Sequence, residues 1–145
     1  MSALQVEFTD GGLPRAFVAL DSEVSSGLAQ AVYLTGASYQ TRVRARASLP
    51  KTGPPGPRAI TGDYRRSITL TNTFDGGQPV ALVHTNRPQA RRLEFGFVGP
   101  DILGRVYNQP PYPHWRPAAE GMDRVLQQHV RAVINGAIRK GRTGQ

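Results

Sequence analysis

The amino-acid sequence predicts an α+β fold in which a small, mainly antiparallel sheet is packed by a long helix in the N-terminal half and a long C-terminal helix. Three observations support this fold class. Apolar residues recur every three or four positions in one long segment of each half of the chain. Between these segments, two runs typical of strands flank an Asp-Gly-Gly turn. The length of 145 residues is that of one domain, which is predicted to span residues 1–145.

The N-terminal part is predicted to contain one strand and two helices. Residues Leu4–Phe8 alternate apolar and polar side chains, which indicates a short strand or an ordered arm. Pro14 can occupy the first turn of a helix that continues to Leu20. A second helix starts near Glu23 and keeps an approximate 3.6-residue period to about Ala47. Small residues that allow another element to approach this helix are Gly27, Gly36 and Ala37.

A proline-rich loop and a β-hairpin follow the second helix. Four prolines make helix or central strand impossible over residues 49–57, which are predicted to form a long, mobile, exposed loop. Thr61 then caps a single helical turn over Asp63–Arg66. Ser67–Phe74 and Val80–Thr85 form antiparallel strands joined by the Asp-Gly-Gly turn. The apolar face of the first strand is predicted to comprise Ile68, Leu70 and Phe74.

A short helix and an irregular segment come next. Pro88 starts the helix over Gln89–Phe95, and Gly96 is placed to end it in the left-handed conformation. Residues 97–115 are punctuated by glycine and proline. Within them, one further strand is indicated by Ile102, Leu103, Val106 and Tyr107.

The C-terminal helix is the most clearly defined element of the sequence. It is predicted to start at Pro117, and its apolar residues recur at spacings of three and four. Acidic residues lie in its first turns and basic residues in its last, which matches the helix dipole. Gly141 follows the last basic residues of the helix, so residues 141–145 are expected to be frayed.

The positive charge of the chain indicates which classes of partner it can bind. Eighteen Lys and Arg residues stand against ten Asp and Glu residues, giving a formal net charge of +8. Only Lys51 and Lys140 are lysines. Arginine pairs with carboxylates and phosphates in a planar, bidentate geometry, so this composition fits an oligomer interface at least as well as DNA. The predicted basic patch comprises Arg42, Arg44, Arg46, Lys51 and Arg58.

Composition also restricts the chemistry and the compartment. The chain contains no cysteine, which excludes disulfides, thiolate nucleophiles and cysteine-ligated metal sites. No apolar run reaches the roughly 18 residues that a membrane span needs. The N-terminus also lacks the basic-then-apolar layout of a signal peptide. We therefore expect a protein that stays in the cytoplasm where it is made and has no membrane partner.

The titratable residues form no recognisable catalytic or metal-binding pattern. The histidines, His84, His114 and His129, lack the spacing that places two ligands on one helical face, and the carboxylates are dispersed. His84 is expected on the sheet surface and His129 beside the apolar stripe of the last helix. The sequence contains neither a nucleophile elbow nor a phosphate-binding glycine loop. We predict no enzymatic activity, no catalytic residue, no metal and no cofactor.

Three motifs occur in order along the chain. They are Thr61-Gly62-Asp63-Tyr64-Arg65-Arg66-Ser67-Ile68, then Ala90-Arg91-Arg92-Leu93-Glu94-Phe95-Gly96, then Pro113-His114-Trp115-Arg116-Pro117-Ala118. Over about residues 38–140 they resemble the tailed-bacteriophage minor tail component family, also called tail completion or neck proteins. In that family a Thr-Gly-x-Leu-x-x-Ser-Ile turn, an Ala-x-x-x-Glu-x-Gly helix and a Pro-Phe-x-x-Pro-Ala segment recur. Here Tyr64 stands where the family usually has leucine, and Trp115 stands near the expected phenylalanine.

The resemblance implies a structural role in the neck of a long-tailed phage virion, after synthesis in the host cytoplasm. It implies an oligomeric ring, expected to be a hexamer, between the head connector or stopper and the tail terminator or tail tube. Genomic DNA would pass through this ring without sequence-specific binding. On this interpretation Glu94 supplies a carboxylate opposite an arginine-rich surface, Trp115 is buried or at an interface, and the 49–57 loop docks onto a neighbouring ring.

The interface residues follow from the same motifs, and two alternative functions stay open beside the neck ring. A tail terminator of related architecture is one alternative. A small basic DNA-binding protein is another, in which the arginines between residues 42 and 66 would lie on phosphates. The residues predicted as motif or interface positions are Thr61, Gly62, Tyr64, Arg65, Arg66, Arg91, Arg92, Glu94, Gly96, Trp115, Arg116 and Pro117.

Overall fold

The computed structural model describes residues 4–8, 22–48 and 62–143, and within these ranges it contains five helices and five strands. The α+β class is confirmed, with small antiparallel sheets, a helix of the N-terminal half that packs on the sheet, and a long C-terminal helix. In chain order the elements are β1 (Leu4–Phe8), α1 (Ser22–Arg46), α2 (Asp63–Ser67), β2 (Thr69–Asp75), β3 (Gln78–Thr85), α3 (Gln89–Phe95), β4 (Phe97–Pro100), β5 (Val106–Gln109), α4 (Trp115–Ala119) and α5 (Met122–Thr143).

The described residues group into two compact units, and helix α1 contributes to both of them. The first unit contains the short helices α2, α3 and α4, and the second contains α5. The first unit comprises residues 4–5, 39–48, 62–69 and 83–120. The second unit comprises residues 6–8, 22–38, 70–82 and 121–143.

The strands form two small sheets. In the three-stranded sheet β3 lies between β1 and β2. The central position suits the apolar sequence of β3, whose buried apolar side chains include Val80, Ala81 and Val83. The second sheet is the antiparallel pair β4 and β5, in which Phe97 lies opposite Gln109 and Pro100 lies opposite Val106.

The core of the first unit is built around Tyr39 and Trp115. The Tyr39 hydroxyl donates a hydrogen bond to the Trp115 carbonyl oxygen at 3.0 Å, and the two rings meet edge to face with centroids 6.2 Å apart. Polar side chains of α1 hold the start of β2, because Gln40 and Arg44 both donate to the Ile68 carbonyl oxygen. Buried apolar residues of this unit include Tyr39, Val43, Ile68, Val83, Ala90, Trp115 and Ala118.

The core of the second unit lies between α1 and α5 and depends on two glycines. Leu28, Ala31 and Val130 are buried there. A Cβ on Gly27 would lie 2.5 Å from Val133 Cγ1, and a Cβ on Gly36 would lie 2.5 Å from the Ala81 Cβ. The predicted role of these glycines is therefore confirmed: they let α1 lie directly against α5 and β3. The partly buried apolar residues around this core are Val24, Leu126, Val133 and Ile134.

Several predicted elements are confirmed with small changes at their ends. Helix α1 begins at Ser22 and ends at Arg46, close to the predicted bounds. The helical turn α2 and the short helix α3 lie where the sequence places them. The hairpin of β2 and β3 is also present, although Phe74 is 62% exposed rather than on a buried face. Strand β2 is an edge strand whose side chains are mostly exposed. Ile68, just before it, is buried, while the Phe74 and Tyr33 rings meet edge to face.

The segment after α3 differs from the prediction. It contains the hairpin of β4 and β5 instead of one strand, and Ile102 and Leu103 lie in the connecting turn. Gly96 has φ 80° and ψ 171°, so its φ favours glycine but its extended ψ leads directly into β4 rather than into a left-handed turn. A Cβ at this position would lie 2.9 Å from the carbonyl oxygen of Gln109.

The last helix also differs from the prediction at both ends. The last helix, α5, starts at Met122 instead of Pro117, and Pro117 lies in the separate helix α4. Gly121, at φ 73°, interrupts the helical conformation between the two helices. At the other end α5 continues through Gly141 to Thr143, because glycine weakens a helix without preventing it. The predicted helix at 14–20, the loop at 49–57, Thr61 and residues 144–145 lie outside the described residues.

Candidate interaction site

A buried carboxylate organises the first unit. Glu94 lies on α3 and is only 5% exposed. Its Oε2 accepts hydrogen bonds from the backbone N–H groups of His114 at 2.8 Å and Trp115 at 3.0 Å, and its Oε1 accepts from the N–H of Arg116 at 2.9 Å. These N–H groups lie at the start of α4 and have no partner within that helix, so Glu94 caps α4 from a distant segment.

The hydrogen bonds decide the charge of this carboxylate. Burial alone would raise the pKa of Glu94, but the hydrogen bonds from the His114 side chain and from three backbone N–H groups outweigh it and lower the pKa to about 2. The charge is thus held inside the protein and points at the α4 terminus. The expectation that Glu94 faces an arginine-rich surface is therefore wrong, because its oxygens are already used by backbone donors.

His114 and Tyr64 extend this cluster. His114 Nδ1 lies 2.9 Å from the Tyr112 carbonyl oxygen and 3.2 Å from Glu94 Oε2, so it has two acceptors and serves as a donor. Its Nε2 lies 2.6 Å from the Tyr64 hydroxyl, and that hydroxyl accepts a hydrogen bond from Trp115 Nε1 at 2.9 Å. We refer to Tyr64, Glu94, His114 and Trp115 as the Glu94 cluster.

The connectivity of carboxylate, imidazole and hydroxyl in this cluster is that of an acid-base relay, but its surroundings favour a structural role. Burial raises the pKa of the Tyr64 phenol to about 12, despite the opposing hydrogen bond from Trp115. His114 is completely buried and Trp115 is 2% exposed, whereas Tyr64 is partly exposed. A phenol with this pKa stays protonated at neutral pH and acts as a donor to His114 rather than as a nucleophile.

An apolar hairpin lies between α3 and α4 in the sequence, and its apolar side chains project into solvent. We call residues 97–109, which form β4, β5 and their turn, the apolar hairpin. Ile102 is fully exposed, and Leu103 and Val106 are more than two-thirds exposed. The exposed large apolar residues of the hairpin are Val98, Ile102, Leu103, Val106 and Tyr107. A group of neighbouring exposed apolar side chains of this kind is typical of interaction surfaces.

The turn of the apolar hairpin is held by Asp101. Its Oδ1 accepts hydrogen bonds from the N–H groups of Leu103 at 2.8 Å and Arg105 at 2.9 Å, and its Oδ2 accepts from the Arg105 guanidinium at 2.8 Å. Desolvation would raise the pKa of the Asp101 carboxyl, but these hydrogen bonds outweigh it and hold the pKa below its usual value. The turn therefore presents Ile102 and Leu103 in a defined geometry.

Arginines lie next to the apolar hairpin. The Arg92 guanidinium carbon is 4.1 Å from the centroid of the Phe97 ring, and that of Arg105 is 5.9 Å from the centroid of the Tyr107 ring. These are cation–π distances, at which arginine and aromatic side chains attract each other. Arg91 and Arg116 are also exposed in this unit. The hairpin thus combines apolar side chains with two arginines, of which Arg105 pairs with Asp101 and Arg92 lies over the Phe97 ring.

The predicted basic patch is only partly available for partners. Arg42 donates to the Glu120 carbonyl oxygen at 3.2 Å, and Arg44 is engaged at Ile68, so both help to hold the fold. Arg46 is exposed, whereas Lys51 and Arg58 lie outside the described residues. A cleft of about 580 Å³ is lined by Arg44, Gly62, Arg65 and Arg66.

The comparisons with known proteins give no identity. No protein-family model, curated protein or solved structure matches the chain. Across residues 4–8, 22–48 and 62–143, no helix has both the length and the apolar character to cross a membrane. Among the same residues, no three His, Asp or Glu side chains are grouped as ligands for a metal ion.

The sequence-predicted motif residues lie either in or beside the Glu94 cluster or near the surface. Tyr64, Glu94 and Trp115 come together in one cluster, and Pro117 lies in the helix that this cluster caps. Gly62 has φ 75° ahead of α2, and Arg66 pairs with Asp63 on the surface. Sequence reasoning missed the apolar hairpin as a site. The signal available for it was the turn sequence Asp101-Ile102-Leu103-Gly104-Arg105, which lies between Phe97-Val98 and Val106-Tyr107.

Proposed function

We propose that this protein is a structural component of the virion of a long-tailed phage, where it forms a hexameric ring at the head–tail junction. In this role it joins the head connector or stopper to the tail terminator or tail tube. Genomic DNA passes through the ring without sequence-specific contacts. The protein acts by shape and charge complementarity and not by catalysis.

The observation that carries this proposal is the meeting of the three motifs in the Glu94 cluster. Glu94, the glutamate of the second motif, bonds to the start of the third motif 21 positions away. Tyr64 of the first motif bonds to Trp115 of the third, 51 positions away, although the family has leucine at the first of these positions and phenylalanine near the second. Motifs that resemble one family in order and spacing, and that also pack together, fit a shared fold better than chance similarity of short segments.

The surface of the first unit gives further support. A ring component needs protein interfaces, and the apolar hairpin with Arg92 and Arg105 has the composition of one. The buried Glu94 cluster fixes α3 and α4 on either side of the hairpin in the sequence, so the surface is preorganised. A preorganised surface loses less entropy when copies assemble.

The proposal is tested in a phage that carries this chain. A nonsense mutation in its gene should give filled heads and finished tails that do not join, as seen by electron microscopy. Purified protein added to such an extract should restore infectivity. Electron cryomicroscopy of the intact particle should place a ring of this chain between connector and tail, and its axial position separates a completion protein from a tail terminator. Joined, infectious particles that lack the chain would refute the role.

A small basic DNA-binding protein is the second candidate function, and the arginine-lined cleft is the observation that favours it. Arg65 and Arg66 line this cleft together with Arg44. Neutralising phosphates would make binding fall steeply with salt. Fluorescence anisotropy with a labelled duplex at two salt concentrations is the direct measurement. Tight, salt-sensitive binding that is lost in Arg65→Gln with Arg66→Gln, together with a monomeric protein, would favour DNA binding over the ring.

A further inference from the structure

We propose that the apolar hairpin of one copy docks onto an aromatic patch around Tyr33 and Phe74 of a second copy, so that the chain associates head to tail. This inference rests on the proposed ring and names the surfaces that would build it. The occupant of the apolar hairpin is thus a second copy of this chain, and the two copies contribute different surfaces.

The donor surface is the rigid turn of the apolar hairpin. Ile102 is fully exposed and Leu103 is 71% exposed, and both are held outward by the hydrogen bonds of Asp101. Side chains that project from a preformed turn can be buried by a partner with little further ordering. The contribution to binding comes mainly from the apolar area that leaves water.

The receptor surface belongs to α1 and β2. The Tyr33 and Phe74 rings meet edge to face with centroids 6.4 Å apart, and the Tyr33 hydroxyl donates to the Thr73 carbonyl oxygen at 3.4 Å. Phe74 is 62% exposed, and Leu34, which follows Tyr33 on α1, is 48% exposed. Aromatic rings held in this way present apolar area at a low entropic cost, as is typical of interface anchors.

Charge favours the pairing of these two surfaces over the pairing of two hairpins. Within the hairpin Asp101 pairs with Arg105, and Arg92 next to it lies over the Phe97 ring and adds a positive charge. The segments that carry the receptor patch, 22–41 and 69–86, contain no lysine or arginine, and Asp75 directly follows Phe74. In a chain of net charge +8, a hairpin therefore meets less repulsion at this patch than at another hairpin.

Two different surfaces on one chain generate a heterologous interface. Each copy then offers one free hairpin and one free patch, so association continues beyond a dimer, and it ends in a ring where the rotation between copies closes. Hairpin-to-hairpin contact would instead stop at a dimer. Stoichiometry therefore distinguishes the two arrangements.

Sedimentation velocity with charge-introducing variants is the first test. We expect Ile102→Asp and Phe74→Asp each to weaken self-association by about tenfold to a hundredfold, because each places a charge inside an apolar contact. A mixture of the two variants should form dimers and stop there, because it retains one intact hairpin and one intact patch. Gln127→Asp, an exposed change on α5, is the matched control and should behave like the wild type.

Cysteine cross-linking is the second test and also captures association that is weak or transient. The chain has no cysteine, so Ile102→Cys and Phe74→Cys introduce unique thiols. With a short bismaleimide, a mixture of these variants should give the 102–74 product in large excess over 102–102, 74–74 and the control pair of Ile102→Cys with Gln127→Cys.

Each outcome bears on the proposal. A predominant 102–102 product, cross-links no more frequent than with the control, or a mixture that assembles like the wild type would overturn it. Failure of this docking with an intact virion role would show that the ring uses other surfaces. Head-to-tail association in a chain that is absent from virions would instead overturn the proposed function and leave the docking in place.

Discussion

The Glu94 carboxylate and the Trp115 backbone N–H are joined by a 3.0 Å hydrogen bond across 21 residues of sequence. Through this bond and its neighbours, one buried charge caps the start of helix α4 and connects the segments before and after the apolar hairpin. Because the acceptor is ionised and the donors are backbone groups, the contact is stronger than a neutral hydrogen bond. The stability of the first unit should therefore depend on Glu94.

Replacement of Glu94 by glutamine should destabilise the protein by about 2 kcal/mol or more. The side-chain amide of Glu94→Gln keeps one oxygen acceptor. Its NH₂ group is a donor, so it cannot accept the backbone N–H hydrogen bonds that the other carboxylate oxygen accepts in the wild type. Urea unfolding followed by circular dichroism measures the change. Glu120→Gln, at an exposed position, is the control and should change the stability little. Equal stability of the two variants would contradict the capping role.

The same carboxylate should make stability depend on pH in the acid range. The pKa of Glu94 is about 2 in the folded protein and ordinarily 4.5, so folding favours the ionised form. Its contribution is complete above pH 4.5 and is lost as the pH falls through 2.

The difference in unfolding free energy between wild type and Glu94→Gln measures this contribution. The difference should shrink on going from about pH 6 to about pH 2, with a total change approaching about 3 kcal/mol. Subtraction of the variant removes the effect of the other carboxylates. A difference that stays constant with pH would show that the charge of Glu94 has no special role.

Removal of the Tyr64 hydroxyl should cost about 1–3 kcal/mol, because Tyr64→Phe leaves His114 Nε2 and the Trp115 indole N–H without their common partner. Trp115 is the only tryptophan, so its fluorescence reports the change directly. We expect a lower unfolding midpoint and a shifted emission maximum. Tyr33→Phe loses an exposed 3.4 Å hydrogen bond and should leave both unchanged.

Two glycine-to-alanine changes should have opposite effects on the free energy of unfolding. Gly36→Ala brings a Cβ to 2.5 Å from the Ala81 Cβ, which cannot move without its backbone. It should therefore destabilise by about 1–3 kcal/mol. Gly136→Ala, on α5, meets nothing within 4 Å and should stabilise by about 0.5–1 kcal/mol through helix propensity. Thermal unfolding of both variants measures the pair. Stabilisation by Gly36→Ala would contradict the close packing of α1 on β3.

Local sequence patterns were sufficient for most of the secondary structure. The 3.6-residue period identified α1 and α5, and the Asp-Gly-Gly turn identified the hairpin of β2 and β3. The patterns failed where a glycine has two possible roles. Gly141 continues a helix that it was expected to follow, and Gly121 breaks one that was expected to be continuous. Such choices depend on the packing around the glycine.

The sequence by itself determined the fold class, the excess of arginine and the absence of cysteine, because these depend on composition and on short-range periodicity. Only the tertiary structure decided what individual side chains do. Glu94 faces the α4 terminus instead of a surface, and Ile102 projects into solvent instead of lying in a strand. The physical reason is that hydrogen-bond partners and burial come from residues far away in the chain, which local patterns do not record.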